Sequence, residues 1–280
     1  MSDNLSPIAI GGLGGSGTRV VAAILKEAGV DVGAHLNRSL DNLFFSNLLK
    51  DPGWLAGASD EQIQARLALF GRCTRGLPPE RRDLSDYWRA VRRNPTPGTG
   101  KPGYRRLVLS RMFGGREARW GWKEPNTHIY LAHLPRAFPG IRYVHVIRDP
   151  LDMAFSANLQ QLTNWGERYG IPRPVAAEDL PEAQFKFALE ANQAAIDLAG
   201  QLLGNRFRLI RFEALCNDPQ METRGLLRFA GFELPEAVLE RIAAQVQRPA
   251  TAGRHKHFDR SWVSEEQMRR VEQLGYEIHL

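Results

Sequence analysis

A run of glycines set between a strand and a helix constrains this chain more than any other feature. Ile8-Ala9-Ile10 reads as a short buried strand, and Gly11-Gly12-Leu13-Gly14-Gly15-Ser16-Gly17-Thr18-Arg19 follows directly. From Arg19 to Ala28 the apolar residues Val20, Val21, Ile24 and Leu25 recur at helical spacing. Small residues in such a turn let backbone N–H groups close around a phosphate at the positive end of a helix. Two templates fit the same letters. Gly12, Gly14 and Gly17 satisfy a dinucleotide fingerprint, whereas Gly12, Gly17 and Thr18 satisfy a phosphate loop whose usual lysine is missing. A tight turn that binds nothing is a third reading, and residues far downstream decide among them.

Size and composition set the frame. With 280 residues, 43% hydrophobic and 24% charged, the chain reads as a globular protein able to bury a sizeable core. No apolar run approaches the ~20 residues needed to cross a bilayer. Met1-Ser2-Asp3-Asn4 carries neither a basic region nor a signal-like stretch, so a cytoplasmic protein is expected. Cys73 and Cys216 stand apart without metal-type spacing, which points away from a disulfide scaffold or a zinc site. The formal charge of +6 suits anionic ligands. It is concentrated: from Arg72 to Arg119, thirteen Lys/Arg stand against four acids. That segment reads either as a groove for an acidic acceptor or as a solvated basic face. No nucleic-acid motif accompanies it, so no nucleic-acid partner is expected.

Strands alternate with helices along the chain. Val30-Asp31-Val32 reads as a second strand, 39–50, 60–71 and 84–93 as helices, with Asp60 as an N-cap. Pro and Gly make 94–103 a loop. Strands follow at 119–123, 141–148 and 207–211, with helices from Asn126, over 150–160 and over 182–203. This pattern predicts an α/β fold, a parallel sheet flanked by helices, in one domain over 1–280 with a helical insertion near 37–117.

Arg148-Asp149-Pro150-Leu151-Asp152-Met153-Ala154-Phe155-Ser156 is the second informative stretch. Arg148 ends the clearest strand, where open α/β sheets bind ligands, and Ser156 falls two predicted helical turns later. A guanidinium and a hydroxyl suit a phosphate that the first loop does not reach. Arg211-Phe212-Glu213 reads as structural, and His128 as a helix-surface residue.

Here the chain resembles the sulfotransferases that use 3′-phosphoadenosine 5′-phosphosulfate (PAPS). Gly14-Gly15-Ser16-Gly17-Thr18-Arg19 resembles their 5′-phosphosulfate loop, and Arg148-Asp149-Pro150 through Ser156 their 3′-phosphate motif. Trp122-Lys123-Glu124-Pro125, Arg211-Phe212-Glu213-Ala214-Leu215, Asp218-Pro219 and Phe229-Ala230-Gly231-Phe232 resemble further elements in the expected order. The resemblance implies a P-loop-like fold and PAPS as cosubstrate, without a metal. It implies that Gly14 to Arg19 hold the phosphosulfate, that Arg148 and Ser156 hold the 3′-phosphate, and that Arg254 and Lys256 lie in a late basic loop closing over the donor. Many members carry Lys or Arg where this chain has Gly15, so Arg19 or Lys123 must supply the charge, with Lys123 preferred. His35, Asp41 and Glu124 are the candidates for the base; an imidazole near pKa ~6.5 suits proton removal. The acceptor reads as a carbohydrate, glycolipid or small molecule. A phosphotransferase and a dinucleotide-binding module are the alternatives; the latter wants an acid on the second strand, where Asp31 stands.

Overall fold

Four short strands place the glycine loop and both candidate cations at one end of a sheet. In a computed structural model that describes residues 6–33, 35–77, 79–93 and 119–276, β1 (Ile8–Gly12), β2 (Gly121–Lys123), β3 (Arg142–Ile147) and β4 (Phe207–Arg211) run parallel. Their order is β2-β1-β3-β4. Ile10 lies opposite both Lys123 and Val144, and Gly12 opposite Val146. The loop after β1 therefore emerges between the ends of β2 and β3, beside Lys123 and Arg148.

Helices cover both faces. They are α1 (Thr18–Glu27), α2 (Leu43–Leu49), α3 (Pro52–Gly57), α4 (Asp60–Thr74) and α5 (Leu84–Arg93) before β2; α6 (Leu134–Ala137) lies between β2 and β3. Beyond β3 come α7 (Pro150–Ala154), α8 (Gln160–Trp165) and α9 (Leu180–Leu203). After β4 follow α10 (Phe212–Asn217), α11 (Pro219–Phe229), α12 (Glu236–Ala243) and α13 (Glu265–Gln273). Successive side chains of a strand point to opposite faces, so β1 feeds two cores. Ile8 and Ile10 pack with Val21 and Leu25 of α1 and with Leu226 and Leu239 of α11 and α12. Ala9 faces an aromatic core in which Phe45, Phe70, Trp122 and Tyr130 meet. Phe70 stands edge-on to Trp122 at 5.0 Å, which locks α4 against β2.

Local chemistry corrects several expected boundaries. Val30-Asp31-Val32 makes only a one-residue bridge, Asp31 to Trp120, because Gly33 at φ 96° turns the chain away. The helix expected from residue 39 begins at Leu43, where the Asn42 side chain accepts from the Phe44 and Phe45 N–H groups. Ser59, in a capping box with Gln62, caps α4 in place of Asp60. The helix expected from Asn126 is a 3₁₀ segment, Pro125–Tyr130. Residues 150–160 do not form one helix: α7 stops at Ala154, and Ser156 sits in the turn before α8. The 94–103 loop and most of the basic 72–119 segment's second half lie outside the described residues.

Candidate active site

Only glycine fits at two points of the loop after β1. Gly12 has φ 148°, and a Cβ there would stand 2.3 Å from the Val146 carbonyl oxygen. At Gly17, φ is 93° and a Cβ would stand 2.2 Å from the Phe212 ring. The chain thereby turns straight into α1, whose first N–H groups no side chain caps. Ser16 adds a buried hydroxyl with no hydrogen-bond partner in the described structure. Uncapped amides and an orphan hydroxyl at a helix start suit an anionic oxygen.

A cleft of about 430 Å³ opens beside this loop. Gly14, Gly15, Gly17, Thr18 and Arg19 line one side of it. Arg19 is exposed and makes no ion pair among the described residues, which leaves its charge available.

Arg148 and Arg254 come from separate elements to the same cleft. Buried Arg148 donates to Asp152 Oδ2 at 2.9 Å and more weakly to the Gly15 carbonyl at 3.4 Å. It also donates to the Thr251 carbonyl, while its Nε has no hydrogen-bond partner. Asp152 is the hub: it also accepts from Gly253 N–H at 2.8 Å and from His255 Nδ1 at 2.8 Å. Burial alone would raise the Asp152 pKa, but these donors hold it well below the usual carboxylate range. Arg254 donates to the Phe155 carbonyl at 3.1 Å. Its pKa is lowered, first by burial and next by the neighbouring Arg148 charge. Two guanidinium groups that repel each other across a cleft favour an anion between them.

On the far side, Lys123 at the end of β2 is 3% exposed. Its Nζ donates to the Asp41 carboxylate and to the Ser39 carbonyl at 3.2 Å, and Asp41 also accepts from Asn37 Nδ2 at 2.8 Å. The preferred cation and one candidate base are thus an ion pair lining the cleft. Glu124 lines it too, but its oxygens accept from Asn126 N–H at 2.6 Å and Asn126 Nδ2 at 2.9 Å. Burial raises the Glu124 pKa, opposed by the Lys50 charge. The Asn126 side-chain oxygen accepts from Gln161 and Trp165, and Gln161 in turn accepts from the Gly14 N–H at 2.5 Å. Glu124 therefore anchors a polar network that braces the loop.

The remaining candidates sit elsewhere. His35 is buried against Phe44, ring centroids 4.7 Å apart, and does not line the cleft. Burial lowers its pKa to about 4. Ser156 Oγ accepts from Asn158 N–H at 3.2 Å and lies close to Gly15, where a Cβ would be 3.8 Å away. Lys256 lines a separate cavity behind Asp149 and Glu213. His128, expected on a surface, is buried, with Nδ1 2.8 Å from the Pro125 carbonyl oxygen. Among the described residues no cluster of His, Cys, Asp and Glu is arranged to hold a metal. Sequence reasoning missed Gln161, Asn126, Lys50 and Thr251, for which no motif exists; Asp152 lay inside the Arg148–Ser156 stretch and could have been found there.

The fold matches solved sulfotransferases along nearly the whole chain. The sulfotransferase domain of the Synechococcus PCC 7002 olefin synthase is 16% identical at TM-score 0.52, with 99% of this chain and 97% of that one covered. The sulfotransferase domain from the curacin biosynthetic pathway is 16% identical at TM-score 0.56, covering 98% and 99%. A Mycobacterium avium sulfotransferase is 15% identical at TM-score 0.50, covering 99% and 78%. At these identities the likeness is one of fold, the P-loop-like sulfotransferase fold. Among curated proteins no sequence matches. The model of the sulfotransferase family matches residues 7–236, from the strand before the glycine loop to the start of α12, and the chain belongs to that family.

Proposed function

We propose that this enzyme moves a sulfonate group from PAPS to a hydroxyl or amine of a polar acceptor, a carbohydrate or glycolipid. The convergence of Arg148 and Arg254 on the cleft that holds the glycine loop carries this reading. A donor with phosphate at both ends needs two anion sites, and a mononucleotide kinase substrate does not need the second. In this reading the loop amides, Ser16 and Arg19 hold the 5′-phosphosulfate, while Arg148, Arg254 and Ser156 hold the 3′-phosphate.

Transfer is an in-line displacement. The acceptor oxygen or nitrogen forms a bond to sulfur as the bond from sulfur to the 5′-phosphate oxygen breaks, and the electron pair leaves with adenosine 3′,5′-bisphosphate. Asp41 takes the acceptor proton. Lys123 and the uncapped start of α1 stabilise charge on the moving group and the departing phosphate. Thr18 in the lysine position argues against a phosphate loop of the usual kinase type.

Calorimetric titration tests the reading. Adenosine 3′,5′-bisphosphate is expected to bind more tightly than AMP, by roughly 1.5–3 kcal/mol or about 10- to 150-fold for charged hydrogen bonds to the 3′-phosphate. Arg148→Ala is expected to reduce that difference and leave AMP little changed. Equal affinities in the wild type, or preference for ATP, would remove the claim.

Asp152→Asn probes how Arg148 is held. It loses the charge that orients Arg148 but keeps the shape, so bisphosphate affinity is expected to fall about tenfold, the lower end for one charged hydrogen bond. AMP affinity should stay constant in the same titration; a matching loss for AMP would mean general disruption of the loop.

A further inference from the structure

The wall of the cleft built by α2 and α8 carries a cation that sulfonate transfer itself does not use. Lys50, the C-cap residue just after α2, lines the cleft, and its Nζ donates to Gln160 Oε1 at 2.6 Å. Gln160 is neutral, and among the described residues Lys50 makes no ion pair with a carboxylate. The nearby acids are already served. Asp41 pairs with Lys123, and Glu124 is held by Asn126 and by Ser46 Oγ at 3.3 Å. Lys50 opposes the rise in the Glu124 pKa, so its charge is felt inside the cleft.

The wall is also polar. Gln160 stands at Lys50, and Ser39 and Asn158 line the same cleft. These side chains can hydrogen-bond a hydroxylated molecule in the cleft. An ammonium on a flexible stem, with no ion pair among the described residues, is a point charge for an anionic oxygen group. Arg148 and Arg254 reach the cleft from the end of β3 and the late basic loop, whereas Lys50 comes from the C-terminal end of α2. It is therefore placed to serve the acceptor and not the nucleotide.

We propose that Lys50 binds an anionic oxygen group of the acceptor, so that the substrate is a hydroxylated acid, a sugar bearing a carboxylate or a phosphate besides the hydroxyl to be sulfonated. This rests on the sulfotransferase reading above. Such an acceptor brings a second anion beside the donor, and a cation apart from the nucleotide contacts relieves the repulsion between them.

The test uses the 280-residue chain saturated with adenosine 3′,5′-bisphosphate. Methyl β-D-glucuronide, glucose 6-phosphate and neutral methyl β-D-glucoside are titrated by ligand-observed NMR against the wild type and Lys50→Gln. At least one acid is expected to bind about tenfold more tightly than the neutral glucoside, and the acid that does so identifies carboxylate or phosphate as the group. Lys50→Gln is expected to remove the preference while melting temperature and bisphosphate affinity stay unchanged. Absence of acid preference in the wild type, or its persistence in Lys50→Gln, overturns the inference, as does failure of all three sugars to bind. An equal loss for acid and neutral sugars also overturns it, because Lys50 would then act only as a counter-charge to Glu124. Failure of the bisphosphate itself to bind is a different result, which brings down the donor reading first.

Discussion

Lys123→Ala is expected to slow turnover by about 10²–10³, the ~2.7–4 kcal/mol typical of losing one preorganised donor at a developing charge. Its affinity for adenosine 3′,5′-bisphosphate should remain close to that of the wild type. The asymmetry follows from position. Lys123 ends β2 opposite Ile10, so a strand register and not a mobile loop sets where it stands. Its Nζ is held by Asp41 and the Ser39 carbonyl before any ligand arrives. A cation fixed in that way costs no reorganisation when charge appears on the transferring group, and it contributes to the transition state more than to the ground state. The loop itself supplies no such group, because Gly15 stands where a basic residue is common in sulfotransferases. Single-turnover kinetics with labelled PAPS measures the step directly. A variant that kept the wild-type rate would reduce Lys123 to a counter-ion for Asp41, and exposed Arg19 would become the cation to replace.

The glycine-loop side of the cleft was far more legible in the sequence than the wall around Lys50, Asn126 and Gln161. Gly12 and Gly17 are dictated by backbone geometry that no other residue tolerates, and such requirements leave a mark in the letters. Arg148 could be placed because it ends an apolar run that reads unambiguously as a strand, and the parallel sheet was legible from the same alternation. Ser156 comes near Gly15 through a turn and not through the continuous helix expected over 150–160, and it does not line the cleft. The wall made by Lys50, Asn126 and Gln161 left no signal. Those side chains come from α2, the 3₁₀ segment after β2, and α8, and nothing local marks a residue whose partner lies far away in the chain. His35 failed in the opposite way. Its place just after a predicted strand suggested the rim of the sheet, but the chain turns at Gly33 and sends the ring into the core against Phe44.

Asp41→Asn is expected to lower kcat by about 10²–10⁴, the range for removing a general base. The amide keeps the size of the side chain and can still accept from Lys123 and Asn37, so folding and bisphosphate binding should survive. What it loses is the capacity to take a proton. Geometry separates Asp41 from its two rivals. His35 lies outside the cleft, so His35→Ala should alter stability and leave kcat nearly unchanged. Glu124 lines the cleft, yet Asn126 and Ser46 already occupy its oxygens, and its proposed task is to brace Gly14 through Asn126 and Gln161. Glu124→Gln should therefore weaken donor binding and stability together, without the selective loss in the chemical step. Since Asp41 and Lys123 touch, their effects should not add: the double variant is expected to lose much less than the product of the two single losses. Additive losses would mean that the two groups serve separate steps. A wild-type rate in Asp41→Asn together with a collapsed rate in Glu124→Gln would transfer the proton to Glu124 and leave Asp41 as the residue that orients Lys123.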